Sequence, residues 1–257
     1  MRAGLVVVPL FLADAADTTS FILRDSAARL LFVERAEDWE RIDAAGASPV
    51  GRVVFRSGPA HPSDGRQINL ADWIAAGTQG QTHPPAERPT ACGSDLATIV
   101  YTSGTTGRPK GVMLTHSAVL AVSRSILERA PGTADDVFLS YLPLAHIFER
   151  VVGIVVPATI GATVVFARSI ADLPADLRSV RPTILLAVPS LLDRVRSRVL
   201  ERVADSAFRA WLLELTVRTG MICYEARRDG RPVGVASWLL HKILRRLVGR
   251  PILSALG

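Results

Sequence analysis

The chain has 257 residues, 49% of them apolar and 21% charged, a composition that excludes a disordered polypeptide and suffices for a sizeable core. Its formal net charge of +6 comes from 28 Arg and two Lys (Lys110 and Lys242) against 24 acidic residues. The two cysteines, Cys92 and Cys223, are too few for a disulfide framework and too far apart for a zinc knuckle, which points to a reducing compartment.

Taken in chain order, residues 1–15 carry a basic residue, an apolar run and Ala13-Asp14-Ala15, the outline of a cleaved leader. The run is short, contains Pro9 and centres on Val6-Val7-Val8, so a buried strand over 5–8 is the better expectation. Further strands are predicted over 30–33, 53–55, 98–101, 137–140, 163–166 and 183–187. Helices are predicted over 17–25, 117–130, 170–180, 189–203 and 206–227. Alternating buried strands and helices predict an α/β fold with largely parallel sheets flanked by helices. Residues 57–93 are rich in Gly and Pro around a short 70–75 piece and read as a long surface connection. Residues 151–167 lack charge, but Gly153, Pro157 and Gly161 divide them into a buried helix, a turn and a strand instead of a membrane span. No internal repeat is present. The chain opens almost directly into a strand and closes on an apolar run at 250–257, so a segment of a larger protein is expected.

The charge is uneven. Residues 190–257 hold 13 basic and six acidic side chains, whereas 1–189 are near neutral. Such a segment suits nucleic acid or an anionic membrane. Its aromatics (Phe208, Trp211, Tyr224, Trp238) do not alternate with Arg as RNA-binding surfaces require, so no nucleic-acid partner is expected. Solvated helix faces are the preferred reading, and Trp211, Met221 and Trp238 are expected in the core.

The strongest chemical signal begins at Ile99-Val100-Tyr101. It continues through Thr102, Ser103, Gly104, Thr105, Thr106, Gly107, Arg108, Pro109, Lys110, Gly111 and Val112. A strand is expected to end near Tyr101, and a helix to begin near Ser117 with Thr115 as its N-cap. Between them glycines let backbone N–H groups converge on an anion, hydroxyls add donors and Lys110 adds a mobile charge. This suits a polyphosphate. It is not a Walker loop, because Pro109 and Gly111 flank the lysine where Gly and Ser or Thr are needed. A second stretch, Leu139-Ser140-Tyr141-Leu142-Pro143-Leu144-Ala145-His146-Ile147-Phe148-Glu149-Arg150, follows an apolar strand. His146 is expected near a strand's carboxyl end, where α/β sheets bind ligands. By position alone, a ligand-facing and a core imidazole stand level. Glu149 and Arg150 read as an ion pair at a helix start. His61, His83, His116 and His241 lack ligand spacing.

The loop closely resembles the phosphate-binding loop of the adenylate-forming enzymes. The histidine stretch, the opening 3–10 and the 182–191 segment resemble the long-chain fatty-acid–CoA ligase branch, and the resemblance is weakest over 57–93. On it, residues 1–257 form part of an N-terminal AMP-binding domain. It implies that a fatty-acid carboxylate attacks the α-phosphate of ATP, giving acyl-adenylate and pyrophosphate, after which coenzyme A displaces AMP. It also implies roles. Thr102 would help hold Mg²⁺. Thr102, Ser103, Gly104, Thr105, Thr106, Gly107, Lys110 and Gly111 would bind the nucleotide phosphates. His146 would lie beside the carboxylate and α-phosphate, with Lys110 and Thr102 also catalytic. The family's adenine, ribose and carboxylate Mg²⁺ motifs, and its small C-terminal domain with a catalytic Lys, are absent from these residues. The chain alone is therefore expected to be inactive. Two alternatives are an acyl-AMP ligase or adenylation domain that loads a carrier protein, and a non-catalytic remnant. The expected location is the cytoplasm, with peripheral contact at the inner face of the membrane as an open alternative.

Overall fold

The computed structural model describes residues 4–11, 13–46, 50–59, 64–79, 91–102 and 108–254. Its contacts divide the chain into two units, Met1–Pro131 with Leu142–Val151, and Gly132–Tyr141 with Val152–Gly257.

The first unit is built on a three-stranded parallel sheet. Helix α1 (Ala16–Asp25) leads to β1 (Leu30–Arg35), α2 (Ala36–Ala44) and β2 (Arg52–Ser57), then β3 (Gln67–Asn69) and α3 (Leu70–Gln79). The strand order is β1-β2-β3, with Leu31 opposite Val53 and Val54 opposite Ile68. Three successive residues of β2, Val53, Val54 and Phe55, are buried, as a strand covered on both faces requires. Leu23, Leu31, Trp39, Val50 and Val53 form one core cluster. The Trp39 indole donates to Asp64 Oδ2 at 2.9 Å, and Arg66 grips the same carboxylate while its guanidinium lies over the indole ring. The apolar piece expected over 70–75 extends into α3, and with β3 it joins this sheet, so residues 67–79 are part of the packed structure.

A separate antiparallel pair completes the first unit. Strand β4 (Leu96–Thr102) pairs with β5 (Lys110–Thr115), and α4 (His116–Arg129) follows at once. Thr115 caps α4 as expected, its hydroxyl accepting from the Ala118 N–H at 3.2 Å. Strand β5 is a correction: sequence reading runs the loop from Tyr101 to the helix, because the apolar run 112–114 is too short to announce a strand. The expected buried strand over 5–8 is also corrected. Only Val7 bridges β4, at Thr98, and Leu5, Val6 and Val7 are exposed.

The second unit pairs β6 (Val137–Ser140) in parallel with β7 (Thr163–Phe166), as read from sequence. Between them in the chain lie a π-helical segment, Glu149–Val155, and α5 (Val156–Ile160), which ends on Gly161 at φ +76°. Helix α6 (Leu173–Val180) packs Leu173 and Leu177 on Leu139. The strand expected over 183–187 is reduced to one bridge, Ile184 to Phe138. There the Thr183 and Ile184 N–H groups donate to the Val137 carbonyl, while the Thr183 hydroxyl accepts from Val137 N and donates to Asp136, so a side chain takes over one side of the ladder. The unit closes with α7 (Pro189–Val203), α8 (Ala207–Arg228), α9 (Val235–Leu244) and α10 (Arg250–Ser254). No helix among the described residues is long and apolar enough to cross a membrane. Trp211, Met221 and Trp238, expected in the core, are all exposed.

Candidate functional site

The site grows from the β4–β5 hairpin. Strand β4 is buried at Ala97, Thr98, Val100 and Tyr101 and leaves Thr102 exposed at its carboxyl end. Directly across the ladder from Thr102 stands Lys110, also exposed. A hydroxyl and an ammonium thus flank the mouth of the connecting loop. Ser103, Gly104, Thr105, Thr106 and Gly107, the expected backbone cradle, lie outside the described residues.

The next ladder position explains a glycine. Gly111 faces Tyr101, and a Cβ there would come within 2.9 Å of Ile99 Cγ2 and 3.0 Å of Tyr101 Cζ. The Tyr101 ring fills the place of that missing side chain. Its hydroxyl donates to Asp25 Oδ2 at 2.6 Å, at the end of α1. Burial first, then the Asp25 carboxylate, holds the phenol well above its ordinary range, so it stays a neutral donor. On the same helix, the Phe21 ring lies 5.8 Å from the Arg108 guanidinium carbon. Helix α1 therefore buttresses both sides of the loop.

His146 sits six residues past β6 in a helical turn, not at the strand end itself. Its N–H donates to the Pro143 carbonyl at 2.9 Å, and its exposed ring meets Phe11 edge-on at 4.8 Å. The turn is tied to β4 by a residue that sequence reading assigned elsewhere. Arg150 Nε and Nη2 donate to the Leu144 carbonyl, and Nη1 donates to Thr98 Oγ1 at 3.0 Å. Thr98 Oγ1 in turn donates to the Val7 carbonyl at 2.6 Å. Burial pushes the Arg150 guanidinium below its ordinary pKa. The expectation of a simple ion pair at a helix start missed this clamp, because its acceptors lie 6 and 52 residues away in sequence. His146, Thr102 and Lys110 consequently belong to one compact unit, and the His146 turn is fastened to the strand that carries Thr102.

A cavity of about 170 Å³ in the same unit is lined by Leu10, Phe11, Asp14, Phe32, Glu34 and Asp38, among others. Against these three carboxylates the lining sets one cation, Arg41, so the balance is acidic and unfavourable to a phosphate. Among the described residues no group of three or more His, Cys, Asp or Glu side chains could hold a metal. Thr102 is the ligand expected of this chain, and one hydroxyl fits a cation held mainly by phosphate oxygens and water.

The sequence model of the AMP-binding enzymes matches residues 1–244. The chain belongs to the AMP-binding enzyme family. Long chain acyl-CoA synthetase 4 of Arabidopsis thaliana is 34% identical over 220 residues, which are 80% of this chain and 32% of that protein. Long-chain-fatty-acid–CoA ligase FadD15 of Mycobacterium bovis is 30% identical over 264 residues, all of this chain and 42% of its own. The chain thus spans about a third to two-fifths of the length of these relatives. Among solved structures, VinN with L-aspartate superposes with a TM-score of 0.62 at 22% identity, covering 80% of this chain and 48% of its own. The N-terminal domain of FACL13 from Mycobacterium tuberculosis gives 0.56 at 28% identity, covering 74% and 45%. The α/β fold is that of the N-terminal domains of adenylate-forming enzymes.

Proposed function

We propose that this AMP-binding chain supplies the triphosphate-anchoring part of a long-chain fatty-acid–CoA ligase. The observation that carries the reading is the Thr102–Lys110 pair at the mouth of the Gly- and hydroxyl-rich loop, with Gly111 seated against Tyr101. In the reaction a carboxylate oxygen attacks the α-phosphorus of ATP, the bond to pyrophosphate breaks, and the acyl group later passes to the thiol of coenzyme A with release of AMP. Mg²⁺ bound with the nucleotide would neutralise phosphate charge. Lys110 holds a positive charge where the β- and γ-phosphates would lie, and charge-assisted contacts of this kind are the strong ones. Thr102 offers an oxygen to the cation. The His146 imidazole, on its clamped turn, orients the carboxylate and donates to an α-phosphate oxygen. The Tyr101–Asp25 and Arg150–Thr98 contacts keep these groups in place without touching substrate. Adenine and ribose recognition and the thiol step belong to segments outside these residues, so the chain by itself binds nucleotide without completing acyl-CoA synthesis.

The test is calorimetric titration of the chain with MgATP, with acyl-CoA formation assayed in parallel. Wild type should bind, and Lys110→Ala should weaken binding by roughly ten- to a hundredfold, as loss of a charged hydrogen bond predicts. Equal affinity in the variant would remove the loop from nucleotide binding. Turnover of a fatty acid to acyl-CoA by the chain alone would overturn its dependence on further segments.

A further inference from the structure

We propose that the outer face of α9, with the basic turn after it, is a docking surface for an anionic lipid bilayer. The inner side of this helix is spoken for. Leu244 is buried, the Ser237 carbonyl lies 3.9 Å from Cys223 Sγ, and the His241 ring packs on Gly220 of α8. The outer side carries Val235, Leu239 and Ile243 at helical spacing, 79%, 51% and 48% exposed, with Leu240 and Trp238 beside them. Leu247 extends the apolar surface past the helix end.

Charge identifies the occupant. Arg231 is spent on an ion pair with Asp229, but residues 232–254 carry Lys242, Arg245, Arg246 and Arg250 and no Asp or Glu. A second copy of this chain would bring the same positive charge to the same place, which opposes self-association through this face. An apolar stripe rimmed by cations matches acyl chains beneath anionic headgroups. Trp238, with Lys242 Nζ 4.9 Å from its ring centroid, has the amphipathic character suited to headgroup depth. Helix α9 has ten residues, roughly 15 Å, so it lies in the interface and does not span it.

The experiment is flotation of the full chain with phosphatidylcholine vesicles, with and without phosphatidylglycerol, at low and high salt. The chain should float with the anionic vesicles only and be released by salt. Neutralising Arg245→Gln with Arg246→Gln should lower partitioning roughly 25-fold, at about fivefold per basic residue. Leu239→Glu with Ile243→Glu should abolish it, with circular dichroism confirming that the helices persist. Trp238 emission should shift to the blue on binding, and Trp238→Phe should remove that shift. Arg35→Gln with Arg56→Gln, exposed cations of the first unit, should bind as wild type. Lys110→Ala should also float normally, which separates this surface from the nucleotide site. Binding equal on neutral and anionic vesicles, no binding at all, or wild-type flotation of the Arg245/Arg246 or the Leu239/Ile243 double variant would overturn the proposal. So would lipid-free self-association that the Leu239→Glu and Ile243→Glu changes abolish, since that assigns the face to protein contact.

Discussion

In the β1-β2-β3 sheet Val53, Val54 and Phe55 are enclosed and Trp39 beside them is 1% exposed; in the α8–α9 pair Trp238 is 43% exposed and Trp211 is 55%. Both regions are apolar in sequence. The sheet buries its apolar residues because a middle strand has neighbours on both edges and helices over its faces. Helix α7 has no buried residue, α8 buries Thr219 and Cys223, and α9 buries Leu244. A helix in a pair covers one stripe and exposes the rest. Hydrophobicity therefore drives burial only where the topology provides a partner surface. Where it does not, the same residue types stay exposed.

The largest expected effect tests that contrast directly. Trp39→Ala should cost about 3–5 kcal/mol, as large-to-small changes in a packed core do, and it also orphans the Asp64 carboxylate from its indole donor. Trp238→Ala should cost no more than about 0.5 kcal/mol, the range for exposed positions. Urea denaturation measures both, and comparable losses would erase the distinction between the regions.

Next in size is the hairpin. Gly111→Val should destabilise by about 1–3 kcal/mol, because the new side chain meets Ile99 and Tyr101 at under 3.3 Å. Nucleotide binding should fall with it. A variant of undiminished stability would mean that Tyr101 can swing away and that the ring does not set the loop.

Arg150→Ala should cost about 1–3 kcal/mol by leaving the Leu144 carbonyl and Thr98 hydroxyl without their donor. Hydrogen exchange over 142–147 should accelerate more than exchange in β1. Arg150→Lys should restore little, since one ammonium cannot reproduce the planar three-way fork. Uniform exchange across the first unit would show that the clamp is not local.

The smallest effects are those of pH, and their signs follow from the shifts. Burial would raise the Asp64 carboxyl, but hydrogen bonds from Arg66 and Trp39 outweigh it and hold it well below the ordinary 3.8. Its folded value lies below its unfolded one, so its contribution is present above about pH 4 and fades as pH falls further. Asp64→Asn should flatten that acid limb in thermal melts. For Tyr101 the folded value lies above the ordinary 10.0, so its contribution holds below that pH and is lost as pH rises. Spectrophotometric titration of wild type against Tyr101→Phe should show the Tyr101 phenol resisting ionisation until the fold opens.

What the residues determined by themselves was whatever depends on near neighbours. The strands at 137–140 and 163–166 and the helix at 189–203 were legible to the residue, because periodicity, a β-branched run and Pro189 at a helix start act within a few positions. The Thr115 cap and the family resemblance of 99–112 are local in the same sense. Tertiary structure decided the rest. Whether 5–8 and 183–187 became strands depended on how many ladder bonds a distant partner offered, and each kept one bridge. The short run 112–114 became a strand only because β4 lay antiparallel to it. Arg150 acquired its role from Thr98, 52 residues away, and Gly111 from a ring across the hairpin. Trp211, Met221 and Trp238 carry the same apolar side chains as a core, but burial is a property of the surface opposite, which no local pattern encodes.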